Sequence, residues 1–161
     1  MAGFAKKWND ESMTWNPANY GCTFQIMTSY DDVWVPLILT SPFDDVESLG
    51  TALNRIRYYA DGTAIWIPVA LVKSTCSVDV EIYPFDTQTC TLSSTATGYA
   101  LSEVFIQPAT EEVQVDTTFS ENPMWELVDT KAKSEPLGNY SQVSFIFKLR
   151  RRPAYVFVNV V

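Results

Sequence analysis

Cys76 and Cys90 bracket the run Tyr83-Pro84-Phe85-Asp86, and a third cysteine, Cys22, stands far from both. Thiols at such a spacing have three chemistries open to them: a disulfide, a zinc site or a redox dithiol. A disulfide would close a ring of about 15 residues and contribute about 3 kcal/mol in the chain-entropy model. Zinc and redox pairs carry Cys-x-x-Cys spacing or histidine partners, and the chain has neither. Cys22 reads as a buried thiol or as a bridge to another molecule. The lack of histidine also removes Ser-His and Cys-His nucleophile pairs and imidazole metal sites. Carboxylates pair at Asp31-Asp32, Asp44-Asp45 and Glu111-Glu112. Neighbours on a strand point to opposite faces, so each pair is placed in a loop, as solvated charge or as a weak calcium site. No glycine-rich phosphate loop is present. No catalytic residue, metal ligand or cofactor is therefore assigned, and the chain reads as something other than an enzyme.

The elements that hold these residues are strands. At 161 residues and 47% hydrophobic, the chain is long enough for one domain with its own core. Aromatic residues at 14%, with many valines and threonines, favour an all-β fold. Val78, Val80 and Ile82 alternate with Asp79, Glu81 and Tyr83, which predicts a half-buried strand. Pro84 ends that strand because it has no N–H for a ladder, and Phe85 is a bulky apolar group just past the stop. Asp86 to Thr89 read as turn and return. Asp61-Gly62, between alternating apolar runs, predicts a hairpin. Val143, Phe145, Phe147 and Leu149 share one face of a last strand. The one fair helix candidate is the short stretch from Asp44 to Leu53. Short strands and spaced turn signals predict an antiparallel β-sandwich, immunoglobulin-like and of Greek-key length.

A net charge of −8 repels phosphate backbones, so nucleic acid is a poor partner, while cations are weakly attracted. The basic run Lys148-Leu149-Arg150-Arg151-Arg152 reads as a solvated strand end. No run of 18 apolar residues exists, so no membrane span is expected in this chain. Met1 to Ala5 lack the charged start and apolar core of a signal peptide, and residues 1–7 read as a start left by cloning or truncation. Asn139-Tyr140-Ser141 is a glycosylation sequon.

Two cysteines around Tyr-Pro-Phe-Asp resemble the signature of the Cys-loop receptor extracellular domain. Trp8, Trp15, Pro17 and Tyr20 resemble the family's Trp-x-Asp-x-x-Leu-x-Trp-x-Pro-x-x-Tyr segment. Trp34 and Pro36 match its first ligand-binding loop, with Ser41 where a ligand-contacting Tyr stands and Phe43 two residues on. Trp66 and Pro68 match the hairpin that precedes the Cys loop. Trp125-Glu126-Leu127 and the run from Tyr140 to Val161 resemble the strand into the third loop and the last strand.

The resemblance implies that Cys76 and Cys90 are bridged, which places the protein in an oxidising compartment, extracellular or secreted. It implies structural roles for Trp8, Trp15, Trp34, Trp66, Pro84 and Phe85. It covers residues 8–161 and implies a domain that starts partway, with the first helix and strands of the family absent. The family's principal cation-binding Trp falls on Thr97, and Tyr99 matches the aromatic after it. Tyr140 takes the place of the third loop's second Tyr. Tyr140, Tyr99 and Phe43 are thus the ligand-binding candidates, and Asn139 the glycosylation site. The implied function is a soluble or truncated domain similar to nicotinic receptor ligand-binding domains and acetylcholine-binding proteins, with binding of a small organic cation weak or lost. The alternative is a secreted structural or assembly protein that keeps the sandwich alone. A homo-oligomer is expected, a pentamer first and a sheet-extending dimer second.

Overall fold

The computed structural model describes residues 2–3, 5–41, 45–48, 55–73, 75–113 and 122–154. All described strand pairs are antiparallel. The all-β class expected from the sequence is borne out, and its antiparallel sheets are consistent with a β-sandwich. The chain divides into two compact units, Met1–Pro36 with Asp44–Lys73 and Leu37–Phe43 with Ser74–Val161.

The first unit holds two sheets. Strands β2 (Lys6–Thr14), β3 (Gln25–Ser29), β6 (Arg55–Tyr59) and β7 (Asp61–Trp66) form one, ordered β2-β7-β6-β3. Strands β1 (Ala2–Gly3), β5 (Asp45–Ser48) and β8 (Val69–Lys73) form the other, ordered β1-β8-β5. Period-two alternation builds the core: Ile56, Tyr58, Ala64 and Trp66 are buried while Arg55 and Arg57 face water. Burying Ile56 or Tyr58 contributes roughly 1.5–3 kcal/mol each. Trp8, Met13, Trp15, Val33 and Val35 pack on this cluster. The Trp8 ring meets Tyr58 and Trp34 edge-on, each at 6.4 Å between centroids. Trp34 itself keeps half its surface exposed.

The Asp61-Gly62 hairpin is present. Its register, Ile56 with Trp66 and Tyr58 with Ala64, centres the turn on Asp61. Thr63 N–H donates to the Asp61 carboxylate at 2.9 Å, an Asx turn that holds the tip. Gly62 has φ +85°, and a Cβ there would lie 2.6 Å from the Asp10 carbonyl oxygen. That close approach is made where β2 slips register between Asn9 and Thr14.

Two expectations are corrected here. The helix candidate Asp44 to Leu53 contains β5, paired with β8 from Asp45 to Ser48. So short a segment has too few turns to hold a helix, and pairing satisfies its backbone instead. Residues 44 and 49–53 of that candidate lie outside the described residues, as does Phe43. Cys22 is not a buried thiol but exposed. It closes the 3₁₀ turn Pro17–Tyr20, with its N–H on the Pro17 carbonyl at 2.9 Å, and no core reaches that turn.

The second unit is one sheet of β4 (Ile38–Ser41), β9 (Thr87–Ala96), β10 (Trp125–Leu137) and β11 (Tyr140–Arg151), ordered β10-β11-β9-β4. Pro136 lies in β10, an edge strand, where its missing N–H costs no ladder bond. On β11, Val143 is buried and Phe145, Phe147 and Leu149 are half-buried. Ser144 on the opposite face is buried as well, its hydroxyl 3.2 Å from that of Ser93.

Substituting Gly62→Ala forces a side chain into the positive-φ region against a backbone oxygen. The expected loss is about 1–3 kcal/mol of unfolding free energy, read by urea denaturation. A change within about 0.5 kcal/mol, the scale of an ordinary surface substitution, would show that β2 moves freely away from the turn.

Candidate functional site

The Cys76–Cys90 disulfide is formed, with Cα atoms 5.4 Å apart. The segment inside it corrects the sequence expectation. Residues 76–80 form no ladder, and 81–84 turn. Val78, Val80 and Ile82, placed on a half-buried strand by their alternation, are 56%, 57% and 64% exposed. A side chain takes the place of a partner strand. Gln88, buried on β9, accepts the Asp79 N–H at 2.9 Å and donates to the Asp79 carbonyl at 2.5 Å. The same amide donates to the Asp86 carboxylate at 2.6 Å.

Asp86 is the centre of this arrangement. Arg151, near the end of β11, donates to it through Nε at 2.7 Å and Nη2 at 3.0 Å. The Arg151 backbone N–H also donates to the Asp86 carbonyl, at 3.1 Å. Both side chains are sheltered, Arg151 11% and Asp86 1% exposed. The guanidinium lies over two rings, Trp125 at 4.2 Å and Tyr83 at 4.9 Å. Trp125 is its cross-strand partner on β10. The hydrogen bonds from Arg151, and then from Gln88, hold the Asp86 carboxyl down to about 2. The solvated reading of the basic run is therefore wrong for Arg151. Strand alternation sends Arg150 outward to an exposed pair with Glu126 at 2.8 Å and turns Arg151 inward, where only a paired cation is stable.

A cleft of about 440 Å³ opens beside this cluster, lined by Phe85, Glu126, Arg150, Arg151, Arg152 and Pro153 with Ala154. Three arginines make it unsuited to a cationic ligand.

The aromatic candidates lie at the other end of β11, roughly 35 Å along the strand at 3.3 Å per residue. Tyr140 opens β11 and is 45% exposed. Tyr99 is half-buried in the turn after β9. Leu101 N–H donates to the Asn139 carbonyl at 2.7 Å and ties the two segments together. Thr97 follows β9, with its N–H on the Leu37 carbonyl and its hydroxyl turned back to the Thr95 carbonyl. Ser41 pairs with Ser93 on the neighbouring strand. The structure thus gathers Tyr99, Tyr140 and Thr97 at one end of one sheet, while Phe85, Pro84 and the disulfide sit at the other. Tyr83-Pro84 is a cis peptide, and Phe85 is 65% exposed.

Sequence reasoning passed over Asp86, Gln88, Arg151 and Trp125. The signal was available in part: neighbouring arginines on a strand, Arg150 and Arg151, point to opposite faces.

A family model described as the neurotransmitter-gated ion-channel ligand binding domain matches residues 2–153. Acetylcholine receptor subunit beta-type unc-29 of Caenorhabditis elegans is 31% identical over 156 residues, covering 96% of this chain and 31% of the relative. Neuronal acetylcholine receptor subunit beta-3 of Homo sapiens is 28% identical, covering 93% of this chain and 33% of the relative. Acetylcholine receptor subunit beta of Xenopus laevis is 27% identical, covering 96% and 34%. The chain spans about a third of the length of these curated relatives.

Two outcomes follow for the Asp86 cluster. Its folded pKa lies below the ordinary 3.8, so its stabilisation is present above 3.8 and is lost as pH falls from there toward about 2. Acid titration of unfolding should show a steepening in that window that Asp86→Asn lacks; identical acid limbs would contradict the cluster. Replacing Cys76 and Cys90 together by alanine should lower stability by about 3 kcal/mol, measured by guanidinium denaturation. An unchanged midpoint would mean that Gln88 and Arg151 hold the loop alone.

Proposed function

The chain belongs to the neurotransmitter-gated ion-channel ligand-binding domain family, and on that premise we propose that its own face for small organic cations binds quaternary ammonium weakly or not at all. Its similarity to acetylcholine receptor subunits makes the domain nicotinic-receptor-like. The observation that carries the proposal is Thr97, at the position where the resemblance expects the principal Trp. A desolvated cation on an indole face gains about 2 kcal/mol. A threonine has no ring face, and this hydroxyl is turned to its own strand. Tyr99 and Tyr140 remain as the rings at that end, and Tyr140 keeps much of its surface in water, where the cation–π gain is smaller.

The ligand-binding domains of this family are extracellular, and the disulfide fits an oxidising compartment. Among the described residues no helix is long and apolar enough to cross a membrane. Assembly into a homo-oligomer is part of the reading, with the family's ring of five as its form. Support comes from β3, an edge strand with Ile26 and Met27 exposed beside Phe24.

Calorimetric titration with acetylcholine or nicotine tests the binding face. The expected dissociation constant is weaker than about 1 μM, or −8 kcal/mol, and Thr97→Trp should tighten it. Submicromolar binding by the unaltered chain would overturn the proposal. Silence up to millimolar ligand in both chains would favour the alternative of a secreted assembly protein that keeps only the fold.

A further inference from the structure

Asn139-Tyr140-Ser141 is the single Asn-x-Ser/Thr triplet of the chain. Such a triplet accepts N-linked carbohydrate on its asparagine, and the hydroxyl two residues on is part of what is recognised. The fold treats these two groups oppositely. Asn139 is in the two-residue turn between Leu137 and Tyr140, after Gly138 at φ +61°. It is exposed, and among the described residues its side-chain amide has no hydrogen bond. Ser141 is 1% exposed. Its hydroxyl accepts the Ile106 N–H at 2.9 Å and donates to the Ile106 carbonyl at 3.3 Å. Ser134 donates to the same carbonyl at 2.9 Å, and Leu101 N–H holds the Asn139 carbonyl. The segment from Leu101 to Ile106 therefore fastens onto the hairpin along both of its strands.

We propose that Asn139 is an N-linked carbohydrate site whose sugar is attached before residues 101–106 close over β11. The proposal rests on the extracellular reading above. In the transfer, Asn139 Nδ2 attacks C1 of the first sugar of a lipid-diphosphate-linked oligosaccharide. The N–C1 bond forms, the bond from C1 to the diphosphate oxygen breaks, and the lipid diphosphate leaves. The amide proton goes to a base of the host transferase. Before closure the triplet is an open chain with its serine hydroxyl free. After closure the amide still faces water, but the hydroxyl is locked beneath Ile106. Attachment thus competes with docking of the 101–106 segment, and the finished sugar stands on the hairpin tip, next to Tyr140.

The full chain is expressed behind a cleavable secretory leader in a eukaryotic cell, so that passage does not depend on its native address. Formation of the Cys76–Cys90 bridge, read by peptide mapping, reports that passage. The expected result is a chain that loses mass on treatment with peptide N-glycosidase, with the deamidated residue at position 139, and an Asn139→Gln chain that is bridged but does not shift. A bridged, unmodified wild-type chain would overturn the site and leave the family reading intact. In a second arm, folded unglycosylated chain and its reduced, unfolded form are incubated with microsomal transferase. The folded chain should react at least about tenfold more slowly, because each 1.4 kcal/mol of local opening is about a factor of ten. Equal rates would overturn the order of events.

Discussion

A carboxylate and a guanidinium removed from water together are tolerated only when hydrogen bonds stand in for lost hydration, and the Asp86–Arg151 pair is held by such bonds. Two charge-assisted hydrogen bonds join the side chains, the backbone of one donates to the backbone of the other, and Gln88 occupies a further lone pair of the carboxylate. Trp125 and Tyr83 cover the guanidinium with ring faces, which compensate a cation that has lost solvent. The pair ties the end of β11 to the start of β9, and through Gln88 it ties both to Asp79 inside the disulfide loop. Removing either charge would strand the other beneath the sheet.

This explains how the disulfide loop holds its shape with no strand paired to it among the described residues. Its backbone is held by the Gln88 amide and by turn hydrogen bonds from Tyr83 N–H to the Val80 carbonyl and from Phe85 N–H to the Ile82 carbonyl, and its ends are joined by sulfur. The apolar side chains of the loop are then released from any duty in a core. Val78, Val80, Ile82 and Phe85 present an apolar surface to the outside of this chain. The first unit stands in contrast, since there the same period-two pattern buries Ile56, Tyr58, Ala64 and Trp66. Alternation marks one-sidedness; which side is wet depends on whether a partner face exists.

The end that holds Tyr99 and Tyr140 and the arginine end lie on opposite ends of the same long strand, β11. Their chemistries are opposite as well: hydroxyl groups and tyrosines at one end, fixed positive charge at the other. The cleft lined by Arg150, Arg151 and Arg152 belongs to the arginine end, and a cleft by itself does not make a site for a cationic ligand. What decides is the sign of the charge lining it.

Much of this protein was legible in its sequence. The all-β class followed from β-branched and aromatic content, the β6–β7 hairpin from Asp61-Gly62, and the last strand from the alternation of Val143, Phe145, Phe147 and Leu149. Family membership was carried by the cysteines around Tyr83-Pro84-Phe85-Asp86. These are local or spacing signals, written in consecutive residues. The exposure of Cys22, the pairing of Asp45–Ser48 and the absence of a ladder at Val78 to Ile82 were not legible, because each depends on which segment lies alongside. The same holds for Arg151. A run of arginines looks solvated until the sheet register puts one of them opposite Trp125 and over Asp86, 65 residues away in sequence. Sequence determined which residues could form strands and turns. Only the tertiary structure decided which polar groups share a dry site, because burial and pairing are properties of segments brought together from far apart in the chain.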